Sequence, residues 1–151
     1  MRGEIQTPQL VGLINEYETV NRGAFLYWVY NGLFSFVPEK VGMGYSRWYS
    51  RDDAIAILSI VILYRGILHK DFLDAKSVGS YIREIIGAGS INMKSDGIII
   101  WGFGERWRVD WEDKLLEAKE LCSKGVYYFP LYRIWEYVDE QWDSLVVRGN
   151  E

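Results

Sequence analysis

Apolar and polar positions alternate along this chain with different periods, and each change of period predicts a change of element. In the first stretch Leu10, Val11, Ile14 and Tyr17 recur at helical spacing after Thr7-Pro8. Thr is a good N-cap and Pro a good first helical residue, so a helix is predicted from there to about Glu18. "TVNRG" (19–23) reads as a turn. Asn21 can cap a second helix over Arg22 to Asn31, with Phe25, Trp28 and Val29 inward and Leu26, Tyr27 and Tyr30 on other faces. Gly32 is placed to stop it in the left-handed conformation.

The pattern then shortens. "LFSFVPEKVGMGYSRWYS" (33–50) predicts a short hairpin, because Pro38, Gly42 and Gly44 interrupt aromatic and β-branched residues. Ser50 followed by Asp53 forms a variant capping box for a third helix, 51–65. That helix has almost no polar face and should be central to the core. A fourth helix, about 71–86, follows with Phe72, Leu73, Val78, Ile82 and Ile85 or Ile86, with Gly79 weakening its middle by roughly 1 kcal/mol relative to Ala. Gly87 and Gly89 suggest a boundary. Beyond it, 97–111 predicts a second hairpin turning at Gly102–Glu105. Residues 111–125 predict an amphipathic helix with Leu115, Leu116, Ala118, Leu121 and Cys122 on one side. After Pro130 a last helix carries Leu131, Ile134, Trp135, Val138, Trp142 and Leu145 at helical spacing.

Composition narrows the classes. With 151 residues, 49% hydrophobic and 16% aromatic, the chain can bury a real core and suits one or two small domains. A lone cysteine, Cys122, excludes an internal disulfide framework and a Cys-rich zinc site, and neither a bound metal nor another cofactor is expected. With no apolar leader at the start, a cytoplasmic location is expected. The run "AIAILSIVIL" (54–63) falls short of the roughly 20 residues that span a bilayer. Of the 17 Lys+Arg and 21 Asp+Glu, nine of each fall in 1–90. The net charge of −4 is therefore carried by the remaining eight basic and twelve acidic residues of 91–151. A wholly basic nucleic-acid binder is excluded; a local positive face in the first part is not.

Helix, tight turn, helix, hairpin, helix is the order of a winged helix-turn-helix, which places the fold class as α+β. "VGLINEYETVNRGAFLYWVYNGLF" (11–34), "GYSRWYSRDDA" (44–54) and "ILSIVILYRGI" (57–67) carry the likeness further. With the step Gly32-Leu33-Phe34 and the run Arg47-Trp48-Tyr49-Ser50-x-x-Asp53, residues 11–66 resemble the N-terminal DNA-binding domain of MerR-type transcriptional regulators. This chain departs from the family at Thr19, where a Gly is usual; at Leu26 and Tyr30, where Arg is usual; and at Ser46, an extra wing residue.

The resemblance implies a regulator of transcription that binds double-stranded DNA as a homodimer. A recognition helix would lie in the major groove and a wing on the phosphate backbone. Asn21, Arg22, Tyr27, Tyr30 and Asn31 are the candidates from the helix region, and Lys40, Arg47, Tyr49 and Arg51 from the wing. Lys40, Arg47 and Arg51 would serve phosphates. The division expected is a MerR-like domain over 1–87 and a C-terminal α+β region over 88–151 for dimerisation or for a small-molecule or protein effector. The alternative is a protein-interaction module, an anti-regulator or adaptor, on the same scaffold, with Leu26, Tyr27 and Tyr30 as an exposed apolar patch.

An enzyme is not expected. His69 is the one histidine and falls in an interhelix loop, "GFGER" (102–106) lacks the spacing of a phosphate loop, and the acidic pairs Asp52–Asp53 and Glu112–Asp113 sit at helix starts where they favour the helix dipole.

Overall fold

The computed structural model describes residues 3–37, 47–69, 71–88 and 96–149. A two-residue strand, β1 (Ile5–Gln6), runs straight into helix α1 (Thr7–Asn15). Gln6 rather than Thr7 occupies the N-cap, and its N–H donates to Gln9 Oε1 at 3.2 Å. The hydroxyl of Thr7 is engaged elsewhere, 3.3 Å from the hydroxyl of Tyr49, which moves the expected cap by one residue.

The next turn is shaped by one side chain. Asn15 donates through Nδ2 to Val11 O at 3.1 Å and accepts the Val20 N–H on Oδ1 at 2.7 Å. Helix α2 (Arg22–Tyr30) then starts on Asn21, whose Oδ1 accepts the Ala24 N–H at 2.7 Å. It stops at Gly32, at φ +78°, a conformation that costs glycine little. Both ends of α2 match the sequence reading.

Around the expected wing the described residues show a pairing that the sequence pattern does not predict. The described residues 33–37 are turns, and Leu33, Phe34 and Val37 are buried. Strand β2 (Trp48–Tyr49) pairs antiparallel with β1, Ile5 facing Tyr49, and among the described residues it has no partner in the expected hairpin. The reason is burial: Ile5 and Tyr49 are both fully enclosed, so this pairing places two large side chains in the core. Lys40 and the rest of 38–46 lie outside the described residues.

Helix α3 (Arg51–Arg65) opens with the expected box, Asp53 N–H to Ser50 Oγ and Ser50 N–H to Asp53 Oδ2, both at 3.1 Å. Every residue from Ala54 to Val61 is buried, so it has no solvent face over two turns. Its one buried hydroxyl, Ser59, donates to Ile55 O at 2.8 Å and leaves no unsatisfied polar group there. Arg65 at its end holds the α1–α2 turn, donating to Thr19 O and pairing with Glu18 at 3.3 Å.

Helix α4 (Phe72–Ala88) packs on α3 through Gly79. A Cβ at Gly79 would sit 2.6 Å from Ile60 Cδ1, so this glycine is a close-approach residue and more than a weak point in a helix.

The C-terminal part contains the expected hairpin, β3 (Ile98–Phe103) and β4 (Arg106–Trp111), turning at Gly104 with φ +62°. The predicted helix over 111–125 divides. Trp111 closes β4, Glu112–Lys114 form a 3₁₀ turn, and α5 (Leu115–Leu121) is short. Only Ala118 of its expected apolar side is buried; Leu116 is 77% exposed. Strand β5 (Val126–Phe129), absent from the sequence reading, pairs antiparallel with β3 and gives the order β4-β3-β5. Helix α6 (Leu131–Gly149) buries Leu131, Ile134, Val138, Trp142 and Leu145 as its spacing predicts.

The architecture is thus mixed helix and sheet with two small antiparallel sheets. The expected boundary between 87 and 88 meets no gap in the packing. One apolar cluster joins Leu10, Phe25, Ile57 and Ile82 to Ile98, Ile134, Val138 and Trp142. Helix α6 also reaches the N-terminal elements by hydrogen bonds, Tyr137 Oη to Leu13 O at 2.6 Å and Trp142 Nε1 to Gly3 O at 3.1 Å. Among the described residues no helix is long and apolar enough to cross a membrane.

Candidate nucleic-acid interface

Helix α2 carries an aromatic surface that packing does not explain. Phe25 is buried, and Trp28 and Val29 pack on the core from a half-buried position, Trp28 edge-on to Tyr64 with ring centroids 5.7 Å apart. The opposite side carries Arg22, Gly23, Tyr27 and Tyr30, all exposed. Tyr27 is 64% and Tyr30 72% exposed, high values for aromatic side chains.

Two asparagines expected to contact a ligand first serve the helix itself. Asn21 caps its start, and Asn31 donates through Nδ2 to Tyr27 O at 2.8 Å. Each keeps one amide function for an outside partner. Arg22 stands in the first turn, exposed and without an ion-pair partner among the described residues.

Around Tyr30 the chain gathers cations. Arg47, just before β2, holds its guanidinium carbon 5.9 Å from the Tyr30 ring centroid, within cation–π range. Lys76, from α4, lines the same cavity of about 360 Å³ together with Tyr30, Phe34, Ser35 and Arg47. Lys76 is not among the sequence candidates. It lies far from Tyr30 along the chain, and only the packing of α4 brings the two together.

Two wing candidates are committed to the fold instead. Tyr49 is fully buried, and burial raises the pKa of its phenol; it is a core residue and offers nothing to a backbone phosphate. Arg51 is paired with Asp139 of α6, an exposed ion pair that joins α3 to α6. The candidates that lie on or beside the open face of α2 are Asn21, Arg22, Tyr27, Tyr30, Asn31 and Arg47, and Lys76 extends them.

No protein-family model matches the chain, and no curated protein matches it.

Proposed function

We propose that this protein binds double-stranded DNA through α2, as a regulator of transcription of the winged helix-turn-helix kind. The observation that carries the reading is the open face of α2, where Arg22, Tyr27 and Tyr30 stand exposed with Arg47 and Lys76 beside them. The positive end of the helix dipole and the guanidinium of Arg22 favour a phosphate at the start of α2. Tyr27 and Tyr30 have flat faces and hydroxyls for sugar edges and base edges. Arg47 and Lys76 flank them as phosphate contacts. Two copies would read two half-sites about one helical turn apart. The test is a binding titration against duplex DNA at several salt concentrations, in which each phosphate contact contributes a slope of about −0.9.

A second reading rests on the same aromatics. Arg at the positions of Leu26 and Tyr30 would favour guanine readout, and neither position carries it. A face of Tyr27, Tyr30 and half-buried Leu26 suits the anchor of a protein interface. In that reading DNA affinity is weak at every salt concentration, and Tyr30→Ala abolishes binding to a protein partner.

A further inference from the structure

The outer strand of the three-stranded sheet, β4, has a strand neighbour on one side only among the described residues. Its hydrogen-bond parity follows from the register. Glu112 N–H donates to Gly97 O at 3.1 Å, so Gly97 and Glu112 face one another as a bonded pair. Alternation along an antiparallel ladder then directs the backbone groups of Arg106, Arg108 and Asp110 to β3. Those of Trp107, Val109 and Trp111 point to the open side. A cavity of about 730 Å³ borders this edge, lined by Tyr81 of α4 and by residues from Phe103 to Asp110. Trp107 Nε1 is buried beside it with no hydrogen-bond partner among the described residues.

Open edges invite pairing, and proteins that stay single usually blunt them. Charged side chains are one such device, and on this edge Arg106, Arg108 and Asp110 disfavour most pairings and select a partner of matching charge. On one face of β4 lie Arg106, Arg108 and Asp110; on the other lie Trp107, Val109 and Trp111. Neither Arg108 nor Asp110 makes an ion pair among the described residues, although Arg108 rests on the Trp101 ring at 5.2 Å and Asp110 accepts from Trp101 Nε1 at 2.9 Å.

We infer that β4 pairs antiparallel with β4 of a second copy of this chain, on a two-fold axis through Val109. A two-fold axis perpendicular to the sheet must place one residue opposite itself. An axis at Arg108 sets Arg108 against Arg108, and one at Asp110 sets Asp110 against Asp110. At Trp107 it sets Arg106 opposite Arg108; at Trp111, Asp110 opposite Glu112. The axis at Val109 sets Arg108 opposite Asp110 twice and Trp107 opposite Trp111 twice. Of these five registers it alone opposes no like charges between Arg106 and Glu112, and directly opposed like charges destabilise a strand pair. Val109 is also an outward-bonding residue, so the central pair exchanges both of its backbone hydrogen bonds. The product is a continuous six-stranded sheet across the dimer. This surface shares no residue with the α2 face and stands independently of the DNA reading.

The experiment is the mass of the full chain in solution, by sedimentation over a range of concentrations, without DNA. The wild type should be a dimer. Arg108→Asp and Asp110→Arg should each weaken self-association by about tenfold or more, since two attractions become two repulsions. An equimolar mixture of the two variants should recover the dimer. In the mixed pair the introduced carboxylate of one copy faces the introduced guanidinium of the other, and the native Asp110 of the first faces the native Arg108 of the second. A loss of fold in the variants would not produce that recovery. A wild type that stays monomeric, a dimer indifferent to both substitutions, or a mixture that does not recover would overturn the proposal. Amide exchange on the unaltered protein supplies a check that needs no variant. The N–H groups of Trp107, Val109 and Trp111 should gain protection as concentration rises, and exchange at the same rate at all concentrations would contradict the pairing.

Discussion

Helices α2 and α3 are both mainly apolar, and the fold uses them in opposite ways. Helix α3 is enclosed, with α4 and α6 packed directly on it, and from Ala54 to Val61 nothing reaches solvent. Helix α2 buries Phe25 and rests Trp28 and Val29 on the core, then leaves Tyr27 and Tyr30 in water. An apolar side chain in α3 is held by what surrounds it. The exposed aromatics of α2 contribute little to the core, so the fold alone does not account for them. Substitutions in α3 should therefore change stability, and substitutions on the open face of α2 should change binding.

The largest effect that distinguishes the two helices is expected at Ile57, fully buried in α3. Ile57→Ala should cost about 2–5 kcal/mol of unfolding free energy, through lost transfer energy and a residual cavity. A denaturant titration measures it; a loss below about 1 kcal/mol would show that α3 is less tightly enclosed than described. Gly79→Ala comes next. Helix propensity favours Ala by roughly 1 kcal/mol. The new Cβ, however, meets Ile60 Cδ1 at 2.6 Å, and Ile60 is itself buried. Overpacking of this kind costs about 1–3 kcal/mol, so the net change should be destabilising or near zero and never a gain of the full propensity term.

A smaller effect tests whether α6 belongs to the same core as α1. Tyr137→Phe removes the hydrogen bond to Leu13 O and should cost about 0.5–1.5 kcal/mol. The same phenol predicts a pH dependence. Burial first, and then the charge of Glu16, push its pKa up from 10.0 to about 12. The folded state therefore favours the protonated phenol. Its contribution is complete below about pH 10 and is lost as pH rises through about 12. Stability of the wild type should fall across that window, and Tyr137→Phe should flatten the fall; equal slopes for both proteins would show that another group carries it.

Much of the helical frame was legible in the sequence because its signals are local. The Asn21 cap, the Gly32 stop, the Ser50–Asp53 box and the unbroken apolar run of α3 each need only a few neighbouring residues. The hairpin of β3 and β4 was legible for the same reason. What was not legible depends on partners far along the chain. Strand β2 pairs with Ile5–Gln6, from much earlier in the chain. Arg51 looks like a free wing cation until Asp139 arrives, and Tyr49 looks exposed until Ile5 faces it. Strand β5 is four residues between Gly125 and Pro130, too short to show a period. At the candidate site, Arg22, Tyr27 and Tyr30 follow from the helical pattern, whereas Lys76 is supplied by packing alone.

On the α2 side of the comparison the expected effects on stability are the smallest. Tyr27→Ala and Tyr30→Ala should each change unfolding free energy by no more than about 0.5 kcal/mol, as surface substitutions do. Tyr30→Ala should instead lower the ratio of specific to non-specific DNA binding, measured by competition with unrelated duplex. If either substitution destabilised the fold as strongly as Ile57→Ala, the distinction between the two helices would fail.

The central claim is that the open face of α2 meets the DNA backbone, and Arg22 tests it most directly because it is exposed and has no ion-pair partner among the described residues. The measurement is the slope of log affinity against log salt for the wild type and for Arg22→Ala. The account predicts a linear fall for the wild type and a slope shallower by about one unit in the variant, with weaker binding to every duplex. Tight binding with the same slope in both proteins would contradict it.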